Sequence, residues 1–225
     1  MSNSNKEDLL ESLNAIIKAT KQQLQEASHI IITYGTAWIY RNIESDSIVA
    51  NCHKVPQKKF TKELLSIAEI EKSLEQITTE IQILNPNCHF IFTVSPVRHI
   101  KDGFVENQQS KAHLISAIHS SIFRLPTSSY FPSYEIMMDE LRDYRFYAPD
   151  MLHPSQVAVN YIWERFSETN ISEESHSIMQ EVETIQRGLA HRAFNPNSQS
   201  HQDFLLQLNQ KIIQFEEKYY PIQFC

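Results

Sequence analysis

An aspartate three residues before a histidine, in the run Asp150-Met-Leu-His153-Pro154, is the spacing in this chain best suited to proton transfer. In a loop leading into a helix, such a carboxylate can bond one imidazole nitrogen, fix the tautomer and leave the other nitrogen facing a pocket. A histidine held this way is a general base toward a hydroxyl. The same spacing also suits Asp150 as a helix-entry residue beside a partly buried structural His153, and D-x-x-H alone does not separate the two. Two further clusters follow apolar runs: Gly35-Thr-Ala-Trp38 with the later Asn51-Cys-His-Lys54, and Ser95-Pro-Val-Arg98-His99. Arg98 and His99 offer donors to a carboxylate, phosphate or sugar hydroxyl, or else anchor their own loop through an internal salt bridge. Trp38 and Tyr40 suit an aromatic wall for a sugar, or ordinary packing near a strand end. A metal set drawn from His53, His99, Asp150 and His153 would need three or four of them within about 2.0–2.2 Å of one ion. No H-x-x-x-H pair or cysteine pair supports such a set, so neither metal nor cofactor is expected.

These clusters matter because ligands of open parallel sheets sit beyond the carboxyl ends of the strands. Leu9, Leu10, Leu13, Ile16, Ile17 and Leu24 fall at helical spacings and predict a helix from Lys6 to Glu26 that packs one face. The β-branched run from His29 to Tyr34 reads as a buried strand ending at Gly35. Apolar residues at Leu64, Leu65, Ile67, Ile70, Leu74, Ile77, Ile81 and Leu84 predict one crossover helix from Phe60 to Leu84. His89 to Ser95 is a second apolar strand, which Pro96 cannot prolong. Strand, long helix and strand, with both strands buried on both faces, describe a βαβ unit in a parallel sheet. A helix over Asn107–Phe123, an outer strand near Tyr130–Tyr134 and a closing helix from Ser155 to Phe166 complete the unit, with Ser155 as N-cap. Past Glu168 the chain turns to Ser, Glu, Gln and Asn, with helical segments at Ser175–His191 and His201–Tyr219.

Of the 225 residues 41% are hydrophobic, enough to bury a sizeable core and too many for a disordered polar chain. The formal charge of -7, with no basic cluster, argues against a phosphate backbone as partner. No apolar run approaches the roughly 20 residues of a membrane span, so no membrane partner is expected. The polar start has no signal-peptide pattern, which makes cytoplasm the expectation provided Met1 is the true start. Cys52, Cys88 and Cys225 lack metal spacing and leave an odd thiol, so no disulfide is expected.

Several long runs carry a resemblance. T-Y-G-T-A-W-I-Y from Thr33, V-A-N-C-H-K from Val49, S-P-V-R-H from Ser95, Y-F-P-S-Y-E-I-M-M-D-E-L-R-D-Y-R-F-Y from Tyr130 and D-M-L-H-P from Asp150 resemble the GSCFA domain family over about residues 29–166. That family belongs with the SGNH (GDSL-like) hydrolases. The resemblance implies an α/β fold, a three-layer parallel sheet flanked by helices with flavodoxin-like topology. Residues 1–168 would form that domain and 169–225 an appended helical extension. It also implies an esterase in which serine attacks an acyl carbon, His153 relays the proton and Asp150 supports it. The ligand would be a small acyl ester, with a glycan among the alcohols that suit it.

Gly35 stands where the superfamily's third block begins, but the asparagine expected two residues on is Ala37 here. Asn51 is the substitute for that oxyanion donor, or else a loop amide capping backbone groups. No Gly-Ser-Cys-Phe-Ala run occurs, so no nucleophile is assigned within this chain. Ser95 lies at a strand end outside that alignment. The expectation is a domain lacking its first strands and inactive as written. Its open sheet edge would be covered in part by the first helix or would favour a homo-oligomer. The competing reading is a non-catalytic ligand-binding or scaffold paralogue.

Overall fold

The computed structural model describes residues 3–52, 54–220 and 222–224. The chain divides into two compact units, Met1–Trp163 and Glu164–Cys225. The first unit is mixed α/β, built on a three-stranded parallel sheet in the order β1 (His29–Tyr34), β5 (His89–Val94), β6 (Ser128–Phe131). β1 and β5 run in register from His29 opposite His89 to Tyr34 opposite Val94, so Gly35 and Ser95 leave the sheet side by side. That juxtaposition creates the site.

β5 is hydrogen-bonded on both sides, and its apolar run follows from that position. Phe90, Phe92 and Val94 pack with Ile70 and Leu74 of α2 (Ile67–Leu84) and with Leu114, Ala117 and Ile118 of α3 (Phe104–Ile122). β1 departs from the expected fully buried strand. Ile30, Ile32 and Tyr34 join the core, whereas His29, Ile31 and Thr33 are exposed, Ile31 at 53%. Only one of its faces is covered, so its β-branched run reflects strand propensity more than burial. The outer strand expected near Tyr130 is β6.

The stretch expected as one helix from Phe60 is two elements. Phe60–Leu64 is a strand, β4, pairing antiparallel with β2 (Trp38–Asn42), which also pairs with β3 (Ile48–Val49). The helix begins only after Ser66, whose hydroxyl accepts from the Glu69 N–H while the Glu69 carboxylate accepts from the Ser66 N–H. This capping box sets the boundary, and the apolar spacing running back through Leu64 obscures it. The first helix, α1 (Lys6–Glu26), forms with the expected bounds but does not pack as expected. None of its residues is buried, and Leu10, Leu13, Ile16 and Ile17 are exposed.

After β6 the chain passes through α4 (Ser133–Glu135) into a π-helical turn at Ile136–Leu141, then reaches α5 (Gln156–Asn170). Ser155 Oγ accepts from the Ala158 N–H, as an N-cap does, at a long 3.4 Å. In the second unit α6 (Glu173–Ala190) and α7 (Gln199–Lys218) pack through Ile185, Leu208 and Phe215. Gly188 permits that approach, since a Cβ there would stand 2.6 Å from Leu208 Cδ1. Among the described residues no helix is long and apolar enough to cross a membrane.

Candidate active site

The loop from Asp150 to His153 is built by its aspartate. Asp150 Oδ1 accepts from the backbone N–H groups of Leu152 at 2.9 Å and His153 at 3.0 Å, while Oδ2 lies 2.6 Å from His153 Nδ1. Asp150 therefore closes the loop and partners the imidazole; it is not the helix-entry residue, since α5 begins at Gln156 behind Ser155, and His153 is exposed. The His153 and Leu152 N–H bonds, and then the imidazole, hold its carboxyl down at about 2. An ionised carboxylate only accepts, so the neutral ring carries its proton on Nδ1 and keeps the Nε2 lone pair. Met151 absorbs the turn with φ 59°, a left-handed conformation that is costly outside glycine.

Replacing Asp150 with asparagine is expected to invert the tautomer. An amide N–H facing Nδ1 donates where the carboxylate accepted, so the proton moves to Nε2. Long-range 1H–15N spectra of the His153 ring report this directly; an unchanged Nδ1–H tautomer in Asp150→Asn would count against the dyad.

Arg98 clamps the same loop. Its N–H donates to Leu152 O at 3.1 Å, Nη1 donates to Met151 O at 3.4 Å, and its guanidinium lies 4.1 Å over the Tyr147 ring. The structure thus gives Arg98 an anchoring role made by ring stacking and carbonyl contacts, rather than by a salt bridge. Further on, Ala148 N donates to His153 O and Ser155 N to Phe146 O, tying the loop to the start of α5.

His153 opens into a cleft of about 370 Å³ beyond the carboxyl ends of β1 and β5. Thr36, Trp38, Tyr40, Lys62, Arg98, His99 and Asp102 also line it. The small antiparallel sheet supplies one wall, with Lys62 5.5 Å from both the Trp38 and the Tyr40 ring centres and ion-paired to Asp102. Gly35 lies against His99, since a Cβ there would meet His99 Nε2 at 3.2 Å. Burial, then the positive charge of Lys111, lowers the His99 imidazole below the usual histidine value, with His153 adding to that and Asp102 opposing it.

The remaining candidates lie outside the cleft wall. Ser95 Oγ accepts from Val97 N at 3.2 Å, closing its own turn. Asn51 is exposed on the loop after β3 and is not among the residues lining the cleft. Ala37 is 1% exposed, its methyl in the core and its N–H donating to Ser110 Oγ at 2.7 Å. His53 lies outside the described residues; among those described, no group of three or more His, Cys, Asp or Glu could hold a metal ion.

Three residues beneath the cleft carry roles that sequence reasoning missed. Lys111 is 1% exposed, and its Nζ donates to Gly35 O at 2.7 Å and Ser95 O at 2.6 Å, clasping the ends of β1 and β5. Ser110 holds Thr36 and Ala37, and Asn107 Oδ1 accepts from His99 N at 2.8 Å. The signal was available. Asn107, Ser110 and Lys111 recur at helical spacing in line with Leu114 and Ile118, placing polar groups on the buried face of α3.

A parallel sheet flanked by helices, with an oriented imidazole in a cleft at its carboxyl end, defines an α/β protein with a candidate site at the place where such sheets bind ligands. The GSCFA family model matches residues 1–166, and the chain belongs to that family. A second model, the GSCFA domain protein C-terminal domain, matches residues 182–224, within the second compact unit. The first match starts at residue 1 and so includes α1, a wider span than the residues carrying the resemblance. No curated protein and no solved structure matches the chain.

Proposed function

We propose that the first unit is an SGNH-type hydrolase domain whose cleft takes the ester of a small acyl group, a carbohydrate being among the alcohols that suit the Trp38 and Tyr40 wall. The 2.6 Å contact between Asp150 Oδ2 and His153 Nδ1, at the mouth of that cleft, carries the reading. His153 Nε2 is the base that takes the proton of an attacking hydroxyl and returns it to the leaving alcohol. Asp150 holds the ring in that tautomer and stabilises the imidazolium.

Among the described residues no serine lines the cleft with this acid–base pair. The hydroxyl of Ser95 closes a local turn, and no Gly-Ser-Cys-Phe-Ala run occurs in the chain. A serine-directed fluorophosphonate is therefore expected to leave the chain unlabelled. Labelling that His153→Ala abolishes would overturn this part of the reading. The buried methyl of Ala37, in the place of an oxyanion-donating asparagine, favours a second reading, a paralogue that binds an acyl ligand without turning it over. Loss of one such donor typically costs about a hundredfold to a thousandfold in rate.

A further inference from the structure

We propose that His99, seated on Gly35, supplies the hydrogen bond to the carbonyl oxygen of the ligand that His153 serves, the role that neither Ala37 nor Asn51 fills. The proposal rests on the reading of the cleft as an acyl-ester site. Its starting point is the state of the donors around that cleft. Ala37 N–H is taken by Ser110 Oγ, Trp38 N–H by Thr36 Oγ1 and Trp38 Nε1–H by Glu106 O. Arg98 is committed to the His153 loop, and Lys62 to Asp102. His99 differs. Its backbone N–H is fixed by Asn107, but among the described residues neither ring nitrogen has a hydrogen-bond partner, although the ring is partly buried. A partly desolvated imidazole with an open donor in a cleft gains most from a polar ligand atom.

Position and charge agree with that assignment. His99 follows β5 and His153 precedes α5, so the two imidazoles enter one cleft from different loops. One ring is oriented by a carboxylate for proton transfer. The other packs against Gly35, with the buried Lys111 clasping the carbonyls of Gly35 and Ser95 beneath it. The groups felt by the His99 ring are Lys111 from α3, Asp102 from the turn before α3 and His153 from the facing loop. Burial and Lys111 outweigh Asp102 and lower the ring below the ordinary histidine value, which favours the neutral imidazole, and a neutral imidazole still donates one hydrogen bond. The Lys111 ammonium places positive potential where negative charge develops on a carbonyl oxygen under attack. Gly35 has a specific reason to be glycine: an added methyl would sit 3.2 Å from Nε2 and displace the ring by a few tenths of an ångström.

The test uses the full chain, with methyl phenylphosphonate as a singly charged tetrahedral probe and long-range 1H–15N spectra of the histidine rings as readout. Titration is expected to move the resonances of both His99 and His153. His99→Gln and Gly35→Ala are each expected to weaken the probe by about tenfold or more. In both variants His153 keeps its Nδ1–H tautomer, which separates a lost contact from a collapsed site. Gly35→Ala stands by itself if His99→Gln does not fold. A probe that moves only His153, or an affinity unchanged within about twofold in the folded variants, overturns the role of His99 and leaves the hydrolase reading intact. A probe that moves neither ring overturns both.

Discussion

Lys111→Ala is expected to lower the unfolding free energy by about 2–4 kcal/mol at pH 7 and to flatten the stability profile above pH 8. Three effects compete. Truncation removes a buried four-carbon stem and leaves a cavity beneath the sheet, a loss of about 2–5 kcal/mol for a side chain of that size. It also strips the Gly35 and Ser95 carbonyls of their donor, at about 1 kcal/mol each or more. Against these stands the release of a desolvated charge. Burial pulls the Lys111 ammonium down from 10.5 to about 8, which puts on the order of 3 kcal/mol on the charged form. Cavity and lost bonds together exceed that relief. Lys111→Met, which fills most of the volume, is accordingly the milder change.

The pH dependence follows from the same group. Between about 8 and 10.5 the unfolded chain holds the Lys111 proton that the folded chain has lost, so stability rises with pH through that window. Cys88, whose thiol burial raises above its ordinary 9.0, and Tyr34, which burial raises to about 12, act in the opposite sense at higher pH, so the rise is clearest between about 8 and 9. Urea denaturation at pH 7, 8, 9 and 10 checks both points. A Lys111→Ala variant that keeps wild-type stability and the same rise would remove the lysine from its place at the strand ends.

Phe92→Ala is expected to cost about 3–5 kcal/mol. Phe92 is fully buried on β5, 6.1 Å from Phe90 in a stacked pair and 6.4 Å from the Tyr34 ring. β5 has neighbours on both sides and α2 and α3 above it, so little can collapse into the space. Against a typical total of about 5–15 kcal/mol, this is at least about a fifth of a domain's stability. A urea midpoint within experimental error of wild type would mean that the core can close around the cavity. By contrast, Ile31→Ala on the exposed face of β1 serves as the reference with little effect.

The site was legible to the extent that its residues act locally. Asp150 and His153 are three apart, and the loop between them brings their side chains to 2.6 Å. The strands at His29–Tyr34 and His89–Val94 were legible because β-branched and aromatic runs bounded by Gly35 and Pro96 have few alternatives. The boundary inside 60–84 was obscured for a physical reason. Helical and strand periodicities overlap at Leu64 and Leu65, and only the cap at Ser66 separates them.

The sequence by itself determined the α/β class, the local dyad and the family's runs, all of which are contiguous stretches of chain. Which face of β1 is covered, the pairing of β2 with β4 and the placing of His99 on Gly35 were decided only by the tertiary structure. The same holds for Lys111, 76 residues from Gly35 and 16 from Ser95, which clasps two carbonyls from the middle of a helix. Such contacts depend on which strands lie side by side, and backbone pairing between distant segments leaves no spacing in the sequence by which to read it.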